Sequence, residues 1–176
     1  ADRPKSREIW DEVIAKRLGG KRVRQLVCTH GHPDHIGLAG WLCDKLDVRL
    51  HMTLAEWLAP QLWREQGMKP MTDAEKNFFR RSGMPEPAIE KMQTSRENAP
   101  FRNYPLPMSL ARIRDGDSLR FGGRSWKVLV NGGHAEEHAS FYSSRDKILI
   151  AGDQILSKIS PVVGVFQSQP WADPLG

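Results

Sequence analysis

Cysteine is scarce in this chain of 176 residues. Its two cysteines, Cys28 and Cys43, are too few for a disulfide framework. Cys28 lies in a predicted strand and Cys43 on the apolar side of the next predicted helix, so we expect both to be buried core residues. Because such cysteine usage suits a reducing compartment, we expect a cytoplasmic protein. The sequence also lacks a long apolar run and an opening signal-peptide pattern, and therefore predicts no membrane partner.

A strong charge of either sign is also missing. The formal net charge is +5, and the basic residues are interleaved with acidic ones. Because a nucleic-acid surface needs clustered lysine and arginine, this pattern favours an ordinary solvated surface and predicts no nucleic-acid partner. A weaker role in steering an anionic substrate stays open. The length fits one domain with a real hydrophobic core.

Histidine is scarce too, and it is unevenly placed. Three of the six histidines, His30, His32 and His35, lie in one short stretch together with Asp34. Imidazole and carboxylate groups are ligands of borderline metals such as zinc. The sequence predicts a buried strand over 23–28 and a helix over 36–46, so this cluster lies at the carboxyl end of a strand, where open α/β sheets place their sites.

The spacing within the cluster predicts how the ligands divide. In an extended segment, residues two apart point the same way, so His30 and His32 can reach one ion. Asp34 and His35 fall where the chain turns into the helix, and they suit a second ion. The alternative is a polar loop that is rich in histidine by chance, but the scarcity of histidine elsewhere disfavours it. His51, alone in a predicted strand, is expected to be structural, with a contact at the site rim as the alternative.

The rest of the sequence predicts an alternation of helices and strands. A helix from Ser6, its N-cap, to about Leu18 places apolar residues on one face. A strand over 48–52 completes a β-loop-α-β order and hence a parallel sheet. Thr53 and Thr72 open two capping-box patterns within a helical insertion, 53–107.

The second half predicts strands joined by short turns. Strands over 119–121 and 126–130 flank the turn at Gly122 and Gly123, and strands over 139–142 and 147–151 follow.

Three segments together resemble a known family. The run His30-X-His32-X-Asp34-His35 resembles the signature of the metallo-β-lactamase-fold hydrolases, which include glyoxalase II-like thioesterases, lactonases, zinc β-lactamases and some nucleases. Gly133-His134, followed by His138, resembles the next ligand segment of that family, although Ala135-Glu136-Glu137 departs from the usual Thr-Pro-Gly filling. Asp153, after an apolar strand, resembles the metal-bridging aspartate of the family.

The resemblance implies a two-metal hydrolytic site. The first metal would be bound by His30, His32 and His134. The second would be bound by Asp34 and His35, with Asp153 bridging and His138 packing beside the ligands. Two zinc ions, with iron or manganese as alternatives, would share a hydroxide that attacks the carbonyl of a small acyl substrate, an ester, thioester, lactone or amide. Asp34 and Asp153 would be catalytic, with Asp34 guiding the proton.

The resemblance also implies an α/β fold that forms part of a four-layer αβ/βα sandwich, with the insertion 53–107 as a lid over the site. We expect 1–176 to be one partial domain, because further strands and a last histidine after His138 are absent. The second metal would then bind weakly or not at all, and unpaired sheet edges would favour a homo-oligomer. A nuclease and a non-catalytic metal-binding fragment are the alternative functions.

Overall fold

The computed structural model describes residues 2–66, 69–98 and 105–174. The predicted α/β class is confirmed, since the described chain folds into helices and two sheets. The helices are α1 Pro4–Arg17, α2 Pro33–Ile36, α3 Ala39–Leu46, α4 Leu54–Gln66, α5 Asp73–Arg81 and α6 Glu86–Asn98, with a 3₁₀ turn at Gly152–Gln154. The strands are β1 Gln25–Val27, β2 Arg49–Met52, β3 Ala111–Arg112, β4 Ser118–Phe121, β5 Arg124–Asn131, β6 His138–Ser143 and β7 Ile148–Ile150.

The first sheet is parallel and carries the first ligand loop. Its order is β1-β2-β3, with Leu26 of β1 level with Leu50 of β2. This confirms the predicted β-loop-α-β order. Cys28 and Cys43 are both buried, as expected, and pack with Leu50 and Met52 in the core beneath this sheet.

The second sheet is antiparallel, in the order β4-β5-β6-β7. The predicted hairpin is confirmed: Gly122 and Gly123 form its turn with φ of +57° and +73°, which glycine adopts without steric strain. Its core contains Trp126, whose indole stacks on Phe121 with ring centroids 4.9 Å apart. The predicted strands over 139–142 and 147–151 are also confirmed as β6 and β7.

One hydrogen bond ties the two sheets together next to the histidine cluster. The Ala139 N–H, at the start of β6, donates to the carbonyl oxygen of Thr29 at 2.8 Å. The loop that leaves β1 therefore lies against the beginning of β6. This contact brings the two ligand segments predicted from the sequence to the same place.

The first helix departs from its prediction in two ways. It begins at Pro4 with Arg3 as the N-cap, not at Ser6, because proline suits the first turn of a helix, where its missing N–H is not needed. Its apolar face does not form a buried core, and Trp10 is 42% exposed. The helix instead makes polar contacts, including an ion pair between Asp11 and Lys45 at 2.8 Å.

The stretch after the ligand loop also differs from its prediction. The single helix expected over 36–46 is two helices, α2 and α3, separated at Gly37 and Leu38. Thr72 forms the predicted capping box with Glu75, whereas Thr53 forms none with Glu56, because the Glu56 carboxylate bonds the Gly31 and Glu137 N–H groups and the Thr53 hydroxyl donates to the Glu137 carbonyl oxygen. The segment 53–107 contains helices α4, α5 and α6, and its residues 67–68 and 99–104 lie outside the described ranges. Its role as a lid stays a prediction.

No helix among the described residues combines the length and the apolar character needed to cross a bilayer.

Candidate metal centre

His30 is fully buried in the loop that follows β1. Its Nδ1 lies 3.0 Å from the Thr29 hydroxyl oxygen. Its Nε2, by contrast, is buried without a hydrogen-bond partner among the described residues. A buried polar atom without a partner is energetically unfavourable in a folded protein. The His30 Nε2 is therefore the atom available to a ligand.

Two further imidazoles lie beside the His30 ring: the ring centroids of His32 and His134 are 4.6 Å and 4.9 Å from that of His30. His134 Nδ1 lies 2.9 Å from the Val162 carbonyl oxygen, so this nitrogen donates its proton there and leaves a lone pair on Nε2. That Nε2 is 2.9 Å from His32 Nδ1. The structure thus brings together His30, His32 and His134, each of which offers one ligand atom within 4.8 Å of the others.

A second group shares His30 with the first. His30, His35 and Asp153 also offer ligand atoms within 4.8 Å of one another. Asp153 Oδ2 lies 3.3 Å from His35 Nε2 and 3.6 Å from His134 Nε2. One oxygen of the Asp153 carboxylate therefore lies near an imidazole of each group, and its role as a bridging ligand stays a prediction.

Asp34 is the predicted site residue that the structure does not bring into either group. Its side chain is 77% exposed, and its Oδ2 lies 3.6 Å from His35 Nε2. It borders the cluster on the solvent side of His35. Its assignment as a ligand of the second metal stays a prediction. His51 is also outside both groups of the described residues.

His138 is fully buried beside the ligands. Its Nε2 accepts a hydrogen bond from the Asp153 N–H at 3.2 Å. Gly152 makes this contact possible: its φ is +53°, and a Cβ there would stand 2.5 Å from His138 Nε2. His138 therefore holds the backbone of the Asp153 turn, while its Nδ1 has no partner among the described residues.

The environment lowers the pKa of three of these imidazoles, those of His30, His32 and His138. Burial, followed by the neighbouring histidines, lowers the pKa of His30 to about 2 and that of His138 to about 4. Burial and His134 also lower the pKa of His32, against an opposing effect of the Glu56 carboxylate. Neutral imidazole is the form that binds metal ions.

The donor set fits a divalent transition metal. Neutral imidazole nitrogens and one carboxylate are ligands that zinc accepts, and iron and manganese accept them as well. The unpartnered Nε2 of His30 is the sharpest sign of this fit, because a metal ion would satisfy it. The geometry thus agrees with a metal centre built from His30, His32, His134, His35 and Asp153.

Sequence reasoning missed one buried residue of this region, Glu56. It is 2% exposed, and its carboxylate accepts hydrogen bonds from the N–H groups of Gly31 and Glu137. The sequence offered only the capping-box pattern with Thr53, which assigns Glu56 to a helix end. No local signal could have linked it to two distant loops.

A large cavity opens next to the first histidine group. It has a volume of about 1640 Å³, and apolar side chains contribute much of its wall. Its lining includes His32, His134, Trp57, Trp63 and Phe166. The Trp63 indole lies nearly parallel to the His32 ring, with centroids 6.3 Å apart. Helix α4 thus forms a wall of the space in front of the histidines.

The chain is similar to several known proteins. The chain is similar to the probable metallo-hydrolase YqjP of Bacillus subtilis, with 27% identity over 96% of this chain and 53% of that protein. It also resembles the crystal structure of a β-lactamase domain protein from Burkholderia ambifaria, with a TM-score of 0.84 and 34% identity over 99% of this chain and 49% of that one.

A second solved structure is a metallo-β-lactamase family protein from Thermus thermophilus, TTHA1429. Its TM-score is 0.68 at 29% identity, over 96% of this chain and 53% of that one. The chain thus spans about half the length of these relatives. The predicted fold is confirmed by these likenesses. The model of the metallo-beta-lactamase superfamily matches residues 2–175, and the chain belongs to that superfamily.

Proposed function

We propose that this chain forms the metal-binding part of a metal-dependent hydrolase that acts on the carbonyl group of an ester, thioester, lactone or amide. The observation that carries the proposal is the grouping of His30, His32 and His134, whose ligand atoms lie within 4.8 Å of one another, next to the Asp153 carboxylate. Membership of the superfamily and the similarity to a probable metallo-hydrolase support it.

Different residues of this site would bind the two metal ions. His30, His32 and His134 would hold one ion, and His35 with Asp153 would hold a second one, with Asp34 completing that set. A divalent metal at such a site supplies a Lewis acid for the carbonyl and lowers the pKa of a bound water. Zinc is the proposed metal, with iron or manganese as the alternatives.

Proton transfer and substrate binding can also be assigned to parts of this site. Asp34 is exposed and lies 3.6 Å from His35 Nε2, so it can pass a proton from the site to solvent. The backbone N–H of Asp153 donates to His138 Nε2, and this hydrogen bond holds Asp153 in place. The cavity of about 1640 Å³ between α4 and the segment around Phe166 would hold a small acyl substrate, and its apolar wall suits the acyl portion.

Metal analysis combined with a substrate panel tests the proposal. The chain would be freed of metal with a chelator, loaded with zinc, iron or manganese, and assayed with ester, thioester, lactone and amide substrates. The complete gene product would be assayed in parallel. We expect metal-dependent hydrolysis of at least one class, and we expect the H134A variant to lose the tighter metal.

The matched control is H51A, which removes a histidine outside both groups. It should keep the metal stoichiometry of the unaltered chain. Unchanged zinc binding in H134A would overturn the ligand assignment. Absence of metal-dependent hydrolysis in the complete gene product would overturn the proposed hydrolase function.

A further inference from the structure

Helix α4 meets both ligand segments through a single buried carboxylate. Glu56 lies in the first turn of α4 and is 2% exposed. Its Oε2 accepts a hydrogen bond from the Gly31 N–H at 2.7 Å. Its Oε1 accepts one from the Glu137 N–H at 2.9 Å. The two oxygens of one side chain therefore hold two backbone segments that are far apart in the sequence.

These two segments are the ones that carry the first histidine group. Gly31 lies between His30 and His32, and Glu137 lies between His134 and His138. Because the two hydrogen bonds share one planar carboxylate, they set the separation of the two backbones. Hydrogen bonds to an ionised acceptor are short and strong, and their directions are well defined.

A reciprocal pair of bonds holds the second segment from the other side. The Glu137 carboxylate accepts a hydrogen bond from the Ala55 N–H at 3.0 Å, at the amino end of α4. The Thr53 hydroxyl donates to the Glu137 carbonyl oxygen at 2.8 Å. The first turn of α4 is therefore fixed against the second ligand segment, and Glu56 is fixed with it.

The first segment is held equally closely. A Cβ at Gly31 would stand 2.7 Å from the Glu56 carbonyl oxygen, 3.0 Å from Pro60 Cγ and 3.2 Å from Glu56 Oε2. Contacts this short exclude any side chain at position 31. The glycine is thus required by the close approach of the loop to α4, and that approach brings its N–H to the carboxylate.

We propose that Glu56 is a positioning residue for the metal centre: by bonding Gly31 and Glu137 at once, it sets the distance between the His30–His32 pair and His134. This inference rests on the metal-binding function proposed above. Residues that orient metal ligands typically change metal affinity by about 10- to 100-fold when they are replaced.

The test compares metal binding by the unaltered chain and by E56Q. The glutamine keeps the shape of the side chain, but its NH₂ group would face one of the two N–H donors and break that bond. The zinc dissociation constant would be measured by competition with a chromophoric chelator. We expect E56Q to bind zinc about 10- to 100-fold more weakly and to change the d–d spectrum of bound Co²⁺, which reports ligand geometry.

The matched control is E75Q, which makes the same substitution in α5. The Glu75 carboxylate bonds Thr72 and Arg96 and touches neither ligand segment. The E75Q substitution should lower thermal stability, while zinc affinity and the Co²⁺ spectrum stay as in the unaltered chain. This control separates loss of stability from loss of ligand positioning.

Two further measurements keep the proposal open to disproof. Hydrogen exchange of the metal-free chain should show protected amides at Gly31 and Glu137, with both protections lost in E56Q. If E56Q does not fold, E56D, which keeps the charge but is one methylene too short to reach both N–H groups, should show the same weaker zinc binding. Equal zinc affinity in the unaltered chain and in the folded variant would overturn the role of Glu56.

Failure of the proposed metal-binding function can be distinguished from failure of the inference about Glu56. If the unaltered chain binds no metal, the proposed function fails, and the exchange measurement alone then decides whether Glu56 holds the two segments. Unprotected amides at Gly31 and Glu137 would overturn the inference in that case.

Discussion

Asp153 Oδ2 lies 3.3 Å from His35 Nε2. The same oxygen is 3.6 Å from His134 Nε2, so one carboxylate faces both ligand groups. A ligand in this position contributes most to the group that has fewer imidazoles, because the other group already offers three. This difference gives a direct expectation for metal stoichiometry.

We expect the D153N variant to keep the tighter binding of zinc and to weaken the second binding event by at least about 10-fold, since it removes the carboxylate that lies with His30 and His35. Isothermal titration with zinc would measure both events. D146N is the control, because Asp146 pairs with Arg124 away from the histidines. Loss of the tighter event in D153N would contradict this division of ligands.

Gly152 gives a prediction about stability. Alanine there would adopt a φ of +53° and would place its Cβ 2.5 Å from His138 Nε2. We expect G152A to lower the free energy of unfolding by about 2–5 kcal/mol, from backbone strain together with overpacking. Urea denaturation would measure it.

The control for that change is G122A. Gly122 has a φ of +57°, but nothing lies within 4 Å of a Cβ placed there. The G122A variant should lose only the free energy that backbone strain costs, about 1–2 kcal/mol. Equal losses in the two variants would show that the contact with His138 has no energetic weight.

The two thiols should be unreactive in the folded chain. Burial raises the pKa of Cys28 to about 12 and that of Cys43 to about 11. A raised pKa keeps the thiol protonated, and only the thiolate is the nucleophile. We therefore expect negligible labelling by a disulfide reagent from pH 7 to 9, and two labelled thiols after unfolding in urea. Rapid labelling of the native chain within that pH range would contradict the burial of these residues.

The capping box of α5 gives a prediction for a surface helix. Thr72 Oγ1 accepts a hydrogen bond from the Glu75 N–H, and the Glu75 carboxylate accepts one from the Thr72 N–H. We expect T72A to lower the free energy of unfolding by about 0.5–2 kcal/mol. The T72S variant should keep most of the stability that the cap contributes. Thermal unfolding followed by circular dichroism would measure both. A T72S variant as unstable as T72A would show that the hydroxyl contributes nothing.

Features that depend on neighbours in the sequence could be predicted. The ligand run from His30 to His35, the hairpin at Gly122 and the Thr72 box each depend on residues a few positions apart, and the structure has the hairpin and the box as expected. His134 was identified only through a resemblance, because its partner His32 is 102 positions away.

Features that depend on distant contacts could not be predicted. Thr53 has the same local pattern as Thr72, but Glu137 takes its hydroxyl, and Glu56 bonds two remote loops. The apolar spacing in α1 predicts a face, yet spacing does not determine whether anything covers that face. The exposure of the Asp34 side chain is likewise not specified by the ligand pattern.

The separation of His32 and His134 along the chain also bears on how the centre assembles. An unfolded chain offers a metal the His30–His35 stretch and the His134–His138 stretch separately, because His134 lies 102 positions after His32. Contacts of such long range form late and slow the folding of a domain. We therefore expect folding to come first and tight metal capture to follow, so that a newly made chain competes poorly for scarce metal until both sheets have docked.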